Sequence, residues 1–151
     1  MPRFFNPPRI PAPASNYSHG AVHSSRARRL VISGQVGISL DGTVPDDLAG
    51  QMEMCWDNLL AVVAEAGMTV TDLIKVTVYV TEPGAVALYR QIRTRKLGLH
   101  APAMTYLQVA GLATPVYKCE IDGEAVTEEP DMLFGEMPGE TAGAWTGTGK
   151  R

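Results

Sequence analysis

Cysteine, histidine, aromatic side chains and long apolar runs are all scarce in this sequence. The chain of 151 residues has two cysteines, Cys55 and Cys119, and three histidines, and 7% of its residues are aromatic. Two cysteines and three histidines without ligand spacing exclude a disulfide framework and argue against a metal site. No run of about 18 apolar residues occurs, and early prolines interrupt any signal-peptide core. We therefore expect a soluble, cytoplasmic protein that does not enter a membrane.

Positive charge is not in excess either. Thirteen Lys and Arg stand against sixteen Asp and Glu, which gives a net charge of -3. Such a chain has no strong cationic field to hold a polyanion, so this balance disfavours nucleic acid as a partner. The apolar fraction of 45% and the length are typical of one compact domain.

Both ends differ in composition from the middle of the chain. Residues 1–14 contain five of the eleven prolines, so we expect an extended N-terminal segment that forms no regular helix. Residues 129–151 are acidic and rich in glycine, which predicts a flexible C-terminal tail. A compact domain is thus expected over residues 15–128.

Hydrophobic periodicity predicts the element order ββαβαββ between these ends. Strands are expected at 20–25 and 28–34, and a helix is expected to begin at Thr43 or Asp46 and to end at Gly67. The apolar positions of this helix advance by three or four residues, which is one face of a helix. They are Leu48, Met52, Trp56, Leu59, Val63 and Ala66.

A second strand and helix, followed by two strands, complete the order. Residues 73–80 alternate between apolar and polar positions, and Thr81 is expected to cap a helix that ends at Gly98. The basic residues of this helix are interpreted as a solvated face. They are Arg90, Arg93, Arg95 and Lys96. With strands at 104–110 and 116–126, the order is typical of an α+β sandwich that has helices on one side of a mixed sheet.

The strand faces suggest where this protein associates. If the helices cover the side that carries Val76, Val78, Leu107 and Ile121, the other side of the sheet stays open. The residues expected on this open face are Lys75, Thr77, Tyr79, Met104, Tyr106, Lys118 and Glu120. A face that mixes aromatic and charged side chains is typical of an association or ligand surface. We expect self-association through the open face, with pockets at its seams.

Six segments of the sequence resemble the Rid family, whose members are also called YjgF-like proteins, reactive intermediate imine deaminases or L-PSP endoribonucleases. The segments are NYSHGA (16–21), LVISGQ (30–35), NLL (58–60) with AG (66–67), DLIKVTVYVT (72–81), APA (101–103) and CEID (119–122). The resemblance covers roughly residues 15 to 127. It implies a chorismate-mutase-like fold and a homotrimer, in which the open sheet faces form a central barrel with three inter-subunit clefts for small molecules.

The resemblance also implies an activity and its residues. Family members hydrolyse imines and enamines without a cofactor, and a Glu in the last strand positions the attacking water. Carried over by motif, the catalytic Glu is Glu120, and Tyr17, Ser33 and Gly34 line the cleft. His19 stands where Gln is frequent, and it is either a second acid/base group or an ordinary hydrogen-bonded side chain.

The sequence departs from the family at the carboxylate clamp. After Pro-Ala the family has an Arg whose fork binds a carboxylate, whereas this chain has Met104, and Tyr106 follows two residues later. Losing such a clamp costs about 2–5 kcal/mol of carboxylate binding. We therefore expect a ligand other than a typical 2-imino acid, with Met104 and Tyr106 as part of a softer, apolar wall.

The role of Glu120 has two interpretations. A partly dehydrated carboxylate is a suitable general base for water, but it is also a suitable partner for Lys118 or Lys75 in an ion pair across the seam. Both cysteines are interpreted as buried small hydrophobes and not as nucleophiles.

Three classes of function follow. The first is a cofactor-free hydrolase or deaminase-like enzyme, the second is a metabolite-binding trimer that has lost the chemistry, and the third is an endoribonuclease of the L-PSP type. The third ranks last because acidic cleft residues repel phosphates.

Overall fold

The computed structural model describes residues 1–128, so the tail expected at 129–151 lies outside the described residues. Two α-helices pack on a mixed sheet, which confirms the predicted α+β class. The elements in chain order are β1 (Arg3–Phe5), β2 (Gly20–Val22), β3 (Arg28–Val36), α1 (Leu48–Glu65), β4 (Leu73–Val80), α2 (Val86–Leu97), β5 (Ala103–Gln108) and β6 (Cys119–Thr127). A short 3₁₀ turn at Val70–Asp72 precedes β4.

The main sheet has four strands in the order β3-β6-β4-β5. β4 and β5 are parallel, and the other neighbouring strands are antiparallel. A parallel pair needs a long crossover, and α2 supplies it between β4 and β5. The cleft described below lies beside this crossover.

A second, two-stranded sheet joins the N-terminal segment to β2. β1 pairs with β2 in antiparallel register, and Phe4 lies opposite Ala21. The strand expected at 20–25 is therefore shorter and is separate from the sheet that contains β3. Gly20 permits this pairing because a Cβ there would lie 2.5 Å from Cζ of Phe5. The sequence predicts only extended backbone for the residues that form β1, because three residues show too little alternation to mark a strand.

Helix α1 has the predicted phase but a different first residue. The carboxylate of Asp47 accepts the Gly50 N–H at 2.7 Å, so Asp47 caps the helix, and the expected start at Thr43 or Asp46 is wrong. Gly67, with φ +67°, follows the helix as predicted. The buried apolar residues of α1 are Leu48, Met52, Cys55, Trp56, Leu59 and Val63.

Helix α2 begins without the predicted cap. Ala85 occupies the N-cap position, while the N–H of Thr81 donates to the Lys118 carbonyl at 3.0 Å. Thr81 therefore extends the pairing of β4 and does not cap a helix. The predicted stop at Gly98, with φ +58°, is present.

Strand β4 shows the predicted alternation, but β5 presents the opposite face to that expected. Val76 pairs with Met104 and Val78 with Tyr106, and paired residues of neighbouring strands project to the same side. Met104 and Tyr106 therefore lie on the helix-covered side, and their expected place on the open face is wrong. Leu107, which was expected inside, pairs with Tyr79 on the open face and is 43% exposed.

Candidate functional site

A cleft of about 210 Å³ opens between the N-terminal segment, α2 and β5. It brings together three of the predicted ligand-binding residues, namely Tyr17, Met104 and Tyr106. The full lining is Ala14, Ser15, Tyr17, Val86, Tyr89, Arg90, Arg93, Met104 and Tyr106. Three tyrosines and two arginines thus surround the cleft, and no acidic side chain lines it among residues 1–128.

Ser18 fastens the N-terminal segment to the edge of the main sheet. It is buried and forms a parallel bridge with Ala103. Its N–H donates to the Pro102 carbonyl at 3.0 Å, and its hydroxyl donates to the Ala101 carbonyl at 2.7 Å. These contacts fix the neighbouring Tyr17 in the cleft wall.

Tyr89 of α2 connects the two residues of β5 in the cleft. Its ring centroid lies 4.9 Å from that of Tyr106, and its hydroxyl donates to Sδ of Met104 at 3.5 Å. Burial raises the pKa of both tyrosines, so both hydroxyls are protonated near neutral pH. Met104 therefore lies in the cleft wall against this aromatic pair, and its role in binding a ligand stays a prediction.

Arg93 contradicts the predicted solvated face of α2. Its residue is 4% exposed, and its guanidinium carbon lies 5.6 Å from the centroid of the Tyr89 ring. Nη1 donates to the hydroxyl of Ser15 at 3.3 Å. A sequence signal for this burial existed: Arg93 is four residues after Tyr89 and four before Leu97, on the face that α2 buries.

The other cations near the end of α2 have partners on α1. Lys96 forms ion pairs with Glu53 at 2.9 Å and with Asp57 at 2.6 Å, and Arg95 also pairs with Glu53. Hydrogen bonds from Arg95 and Lys96 lower the pKa of Glu53. Arg95 and Lys96 thus connect the two helices at the surface, away from the cleft.

A second group of predicted residues lies on the open face of the sheet. Ser33 and Gly34 belong to an irregular step in β3, where the register with β6 shifts. Glu120 covers this step so closely that a Cβ on Gly34 would lie 1.8 Å from Glu120 Oε1. An alanine at position 34 would therefore displace the end of the flexible Glu120 side chain.

Glu120 makes no ion pair within the described part of the chain. Lys118 pairs instead with Glu82 at 2.9 Å, and Nζ of Lys75 donates to the Thr105 hydroxyl at 2.5 Å. The half-buried Glu120 carboxylate also has no hydrogen-bond donor among residues 1–128. An ion pair across a subunit seam stays a prediction.

The rest of the open face is polar and ordered by cross-strand contacts. The hydroxyl of Tyr79 donates to Asp122 at 2.8 Å, and this bond raises the pKa of Tyr79. Burial lowers the pKa of Lys75, partly opposed by Asp122 and Glu124. With Met104 and Tyr106 on the covered side, Tyr79 is the aromatic residue of the predicted set that remains here, so the face is less aromatic than expected.

His19 lies next to the cleft and not in its lining. Its ring meets that of Tyr17 edge-on, with centroids 5.7 Å apart, and Nδ1 is buried without a hydrogen-bond partner among the described residues. Its role as an acid/base group stays a prediction. Both cysteines are buried as expected, and Cys55 Sγ donates to the Cys119 carbonyl at 3.3 Å.

The predicted site residues therefore form two groups on opposite faces of one sheet. Tyr17, Met104 and Tyr106 line the cleft on the helix side, whereas Gly34 and Glu120 lie on the open face. A carboxylate on one face cannot reach a ligand in the cleft of the same chain. Any reaction that uses both groups requires a second copy of the protein.

The tyrosine-lined cleft is not the only cleft that the described residues form. A cleft of about 350 Å³ near Thr81 and Tyr117 is larger, but its wall consists of loop residues without a charged side chain. Among residues 1–128, no group of three or more His, Cys, Asp or Glu side chains is placed to hold a metal ion. None of the helices in this part of the chain has the length and apolarity needed to cross a membrane.

The structure has two helices on a mixed sheet and a tyrosine-lined cleft beside the Pro-Ala segment that leads into β5. This architecture agrees with the class of protein that the sequence motifs indicated. The chain belongs to this class, the Rid family: the family model described as Endoribonuclease L-PSP matches residues 8–127. The match begins at residue 8, inside the proline-rich segment, whereas the resemblance by motifs begins at about residue 15.

Relatives of known name agree with this membership. The chain is 43% identical over 76 residues to the RutC family protein YjgH of Escherichia coli (strain K12), which covers 47% of this chain and 58% of that protein. It is 34% identical over 101 residues to the 2-iminobutanoate/2-iminopropanoate deaminase of the same strain, which covers 64% of this chain and 78% of the relative. The crystal structure of the Rid family protein YyfB from Yersinia pestis is similar with a TM-score of 0.74 and 28% identity, over 83% of this chain and 98% of that chain.

Proposed function

We propose that this protein is a cofactor-free, deaminase-type hydrolase of an imine, an enamine or a related metabolite. The observation that carries the proposal is the cleft that joins Tyr17, Met104 and Tyr106 at the edge of the sheet. Similarity to a relative named as a 2-iminobutanoate/2-iminopropanoate deaminase supports the reaction class. A cytoplasmic site of action stays our expectation.

The proposed chemistry assigns the water to Glu120. Its carboxylate takes a proton from water while the water oxygen bonds to the carbon of the C=N group. The C=N π electrons move to nitrogen, and Glu120 returns the proton to that nitrogen, which gives a carbinolamine. Glu120 then takes the hydroxyl proton and passes it to the amine, so that the C–N bond breaks, the carbonyl forms and ammonia leaves. The Glu120 carboxylate is half-buried and makes no ion pair in the described chain, so its oxygens are available to accept the proton of the water.

This chemistry requires a homotrimer in which each cleft is completed by a neighbouring copy. Glu120 and the cleft lie on opposite faces of one chain, so the carboxylate must come from the open face of another subunit. Two apolar side chains on that face, Val31 at 66% and Leu107 at 43% exposure, and the half-buried Lys75 support an interface there. Sedimentation equilibrium at micromolar concentration should give three times the chain mass, and a monomer would overturn the proposal.

We propose a substrate other than a typical 2-imino acid, because Met104 stands where the resemblance implies a guanidinium, so β5 cannot hold a small carboxylate by two parallel hydrogen bonds. Met104→Arg should then increase 2-iminopropanoate hydrolysis by about thirtyfold or more, the gain expected from one restored charge-assisted clamp. A variant without this gain would show that more than the clamp separates this cleft from that of the deaminases.

The decisive experiment compares two carboxylates of β6. Ammonia release is measured on a panel of imines, enamines and amides for the parent, Glu120→Gln and the matched control Glu124→Gln, whose glutamate pairs with Arg29 on the same face. We expect Glu120→Gln to lower turnover about 100-fold or more, with the control unchanged. Equal turnover in both variants would exclude Glu120 as the base.

The same panel tests the binding class of function, and an RNA substrate tests the endoribonuclease class. A parent protein that binds panel members but releases no ammonia is the non-catalytic binding trimer. Cleavage of single-stranded RNA that disappears in Glu120→Gln would support the endoribonuclease class.

A further inference from the structure

The cleft contains a buried cation whose counter-charge is missing from the described chain. Arg93 is 4% exposed, yet no Asp or Glu among residues 1–128 forms an ion pair with it. Arg90, three residues earlier on α2, lines the same cleft and likewise has no ion pair there. Burying a charge is costly unless an opposite charge accompanies it. The two arginines make this cleft positive in a chain whose net charge is negative.

The contacts that Arg93 does make leave most of its hydrogen-bonding capacity unused. One nitrogen donates to the Ser15 hydroxyl at 3.3 Å, and one face of the guanidinium lies over the Tyr89 ring. A guanidinium has five N–H donors in a planar fork. The other nitrogens of Arg93 are not among the buried polar atoms that lack a partner, and the residue itself lines the cleft.

The position of Arg93 relative to Met104 indicates which part of a ligand this cation would contact. Both side chains contact Tyr89, Met104 through its sulfur and Arg93 through its guanidinium. The resemblance to the Rid family implies an Arg at position 104, on the strand that forms one wall of the cleft. In this chain β5 has no positive charge at position 104, whereas α2, on the other side of the cleft, carries Arg93.

We propose that Arg93, assisted by Arg90, binds the anionic group of the ligand, so that the carboxylate is recognised from α2 and not from β5. This inference rests on the proposed function only in taking the same cleft as the ligand site. The ligand class is a planar carboxylate with a flat apolar body, since Met104 and Tyr106 form the opposite wall.

Two probes of the same shape test the proposal. Benzoate and benzamide share a flat ring and differ in the charge of one group, and their binding to the full chain is followed by NMR titration. We expect the parent to prefer benzoate, and Arg93→Met to weaken benzoate binding at least about tenfold while benzamide binding is unchanged. Arg95→Met, which removes a surface cation of the same helix, is the control and should leave both affinities unchanged.

A conservative variant decides the result if Arg93→Met does not fold. Arg93→Lys keeps the charge without the fork, so benzoate should bind at least about threefold more weakly and benzamide as before. Equal losses for both probes would show that Arg93 only shapes the cleft, and this result would overturn the proposal. So would a parent that does not prefer benzoate, or an effect of Arg95→Met as large as that of Arg93→Met.

The experiments distinguish a failure of the anion-site proposal from a failure of the proposed enzymatic function. If no panel compound is hydrolysed but Arg93 still sets the preference for benzoate, the anion site stands and the enzyme class is wrong. If turnover depends on Glu120 but benzoate binding does not depend on Arg93, the enzyme class stands and the anion site is wrong.

Discussion

Replacing Gln51 by leucine removes three hydrogen bonds that one buried side-chain amide makes to the backbone. Gln51 of α1 is 1% exposed and lies beside the segment that leads into β6. Nε2 donates to the carbonyls of Pro45 at 2.9 Å and Val116 at 2.8 Å, and Oε1 accepts the N–H of Lys118 at 2.7 Å. The amide thus fixes the chain two residues before Glu120.

The expected cost of Gln51→Leu follows from these three bonds. Each contributes about 0.5–1.5 kcal/mol to stability, and a buried backbone group left without a partner costs about 1–3 kcal/mol. Leucine returns part of this as apolar burial, so we expect the free energy of unfolding to fall by about 3 kcal/mol. For a chain of this size, that is a decrease of about 6–12 °C in Tm.

Urea unfolding followed by far-UV circular dichroism measures this loss. All samples need the same protein concentration, because self-association would otherwise shift the apparent stability. Gln91→Leu is the matched control, since Gln91 is exposed on α2, and it should change the free energy by less than about 0.5 kcal/mol. A loss below about 1 kcal/mol for Gln51→Leu, at an unchanged m-value, would refute the stabilising role of this amide.

Three further variants or treatments test other contacts. Gly34→Ala must displace the Glu120 carboxylate, so turnover should fall about 100-fold while Tm changes little; full activity would show that the approach of Glu120 to β3 is irrelevant. Asp47→Ala removes the cap of α1 and should cost about 1 kcal/mol in urea unfolding, whereas Asp47→Asn should be neutral, and equal losses would contradict the cap. A hydrogen bond to Cys119 and burial raise the pKa of the Cys55 thiol, so at about pH 8 maleimide should label it only after denaturation, and rapid labelling of native protein would disprove this.

Local patterns predicted those elements whose environment is uniform along their length. From Ile74 to Val80, β4 alternates between buried and half-buried residues, and α1 keeps one apolar face from Leu48 to Val63, so both could be placed from the sequence. β5 could not, because both of its faces carry apolar residues, Met104 and Tyr106 on one and Ala103 and Leu107 on the other, and the strand lies at the sheet edge. Its true face is decided by the register with Val76, which is a non-local contact.

The candidate site was harder to predict than the fold because it also depends on non-local contacts. Motifs identified Tyr17, Met104 and Tyr106, and the structure brings these three together. Charge alone suggested that Arg93 faces solvent, although its spacing from Tyr89 places it on the buried face of α2. Ala14 and Ser15 line the cleft only because the N-terminal segment packs against the edge of the sheet. No local sequence pattern specifies this packing.

The attachment of Ser18 beside Ala103 has a consequence for solubility. An outer strand such as β5 offers unpaired N–H and C=O groups that invite strands from other molecules and start aggregation. The N-terminal segment occupies the first of these positions, and the proline that precedes Ala103 lacks a donor. A detached segment would therefore remove Tyr17 from the cleft and, at the same time, uncover a sheet border on which fibrous or amorphous assembly could begin.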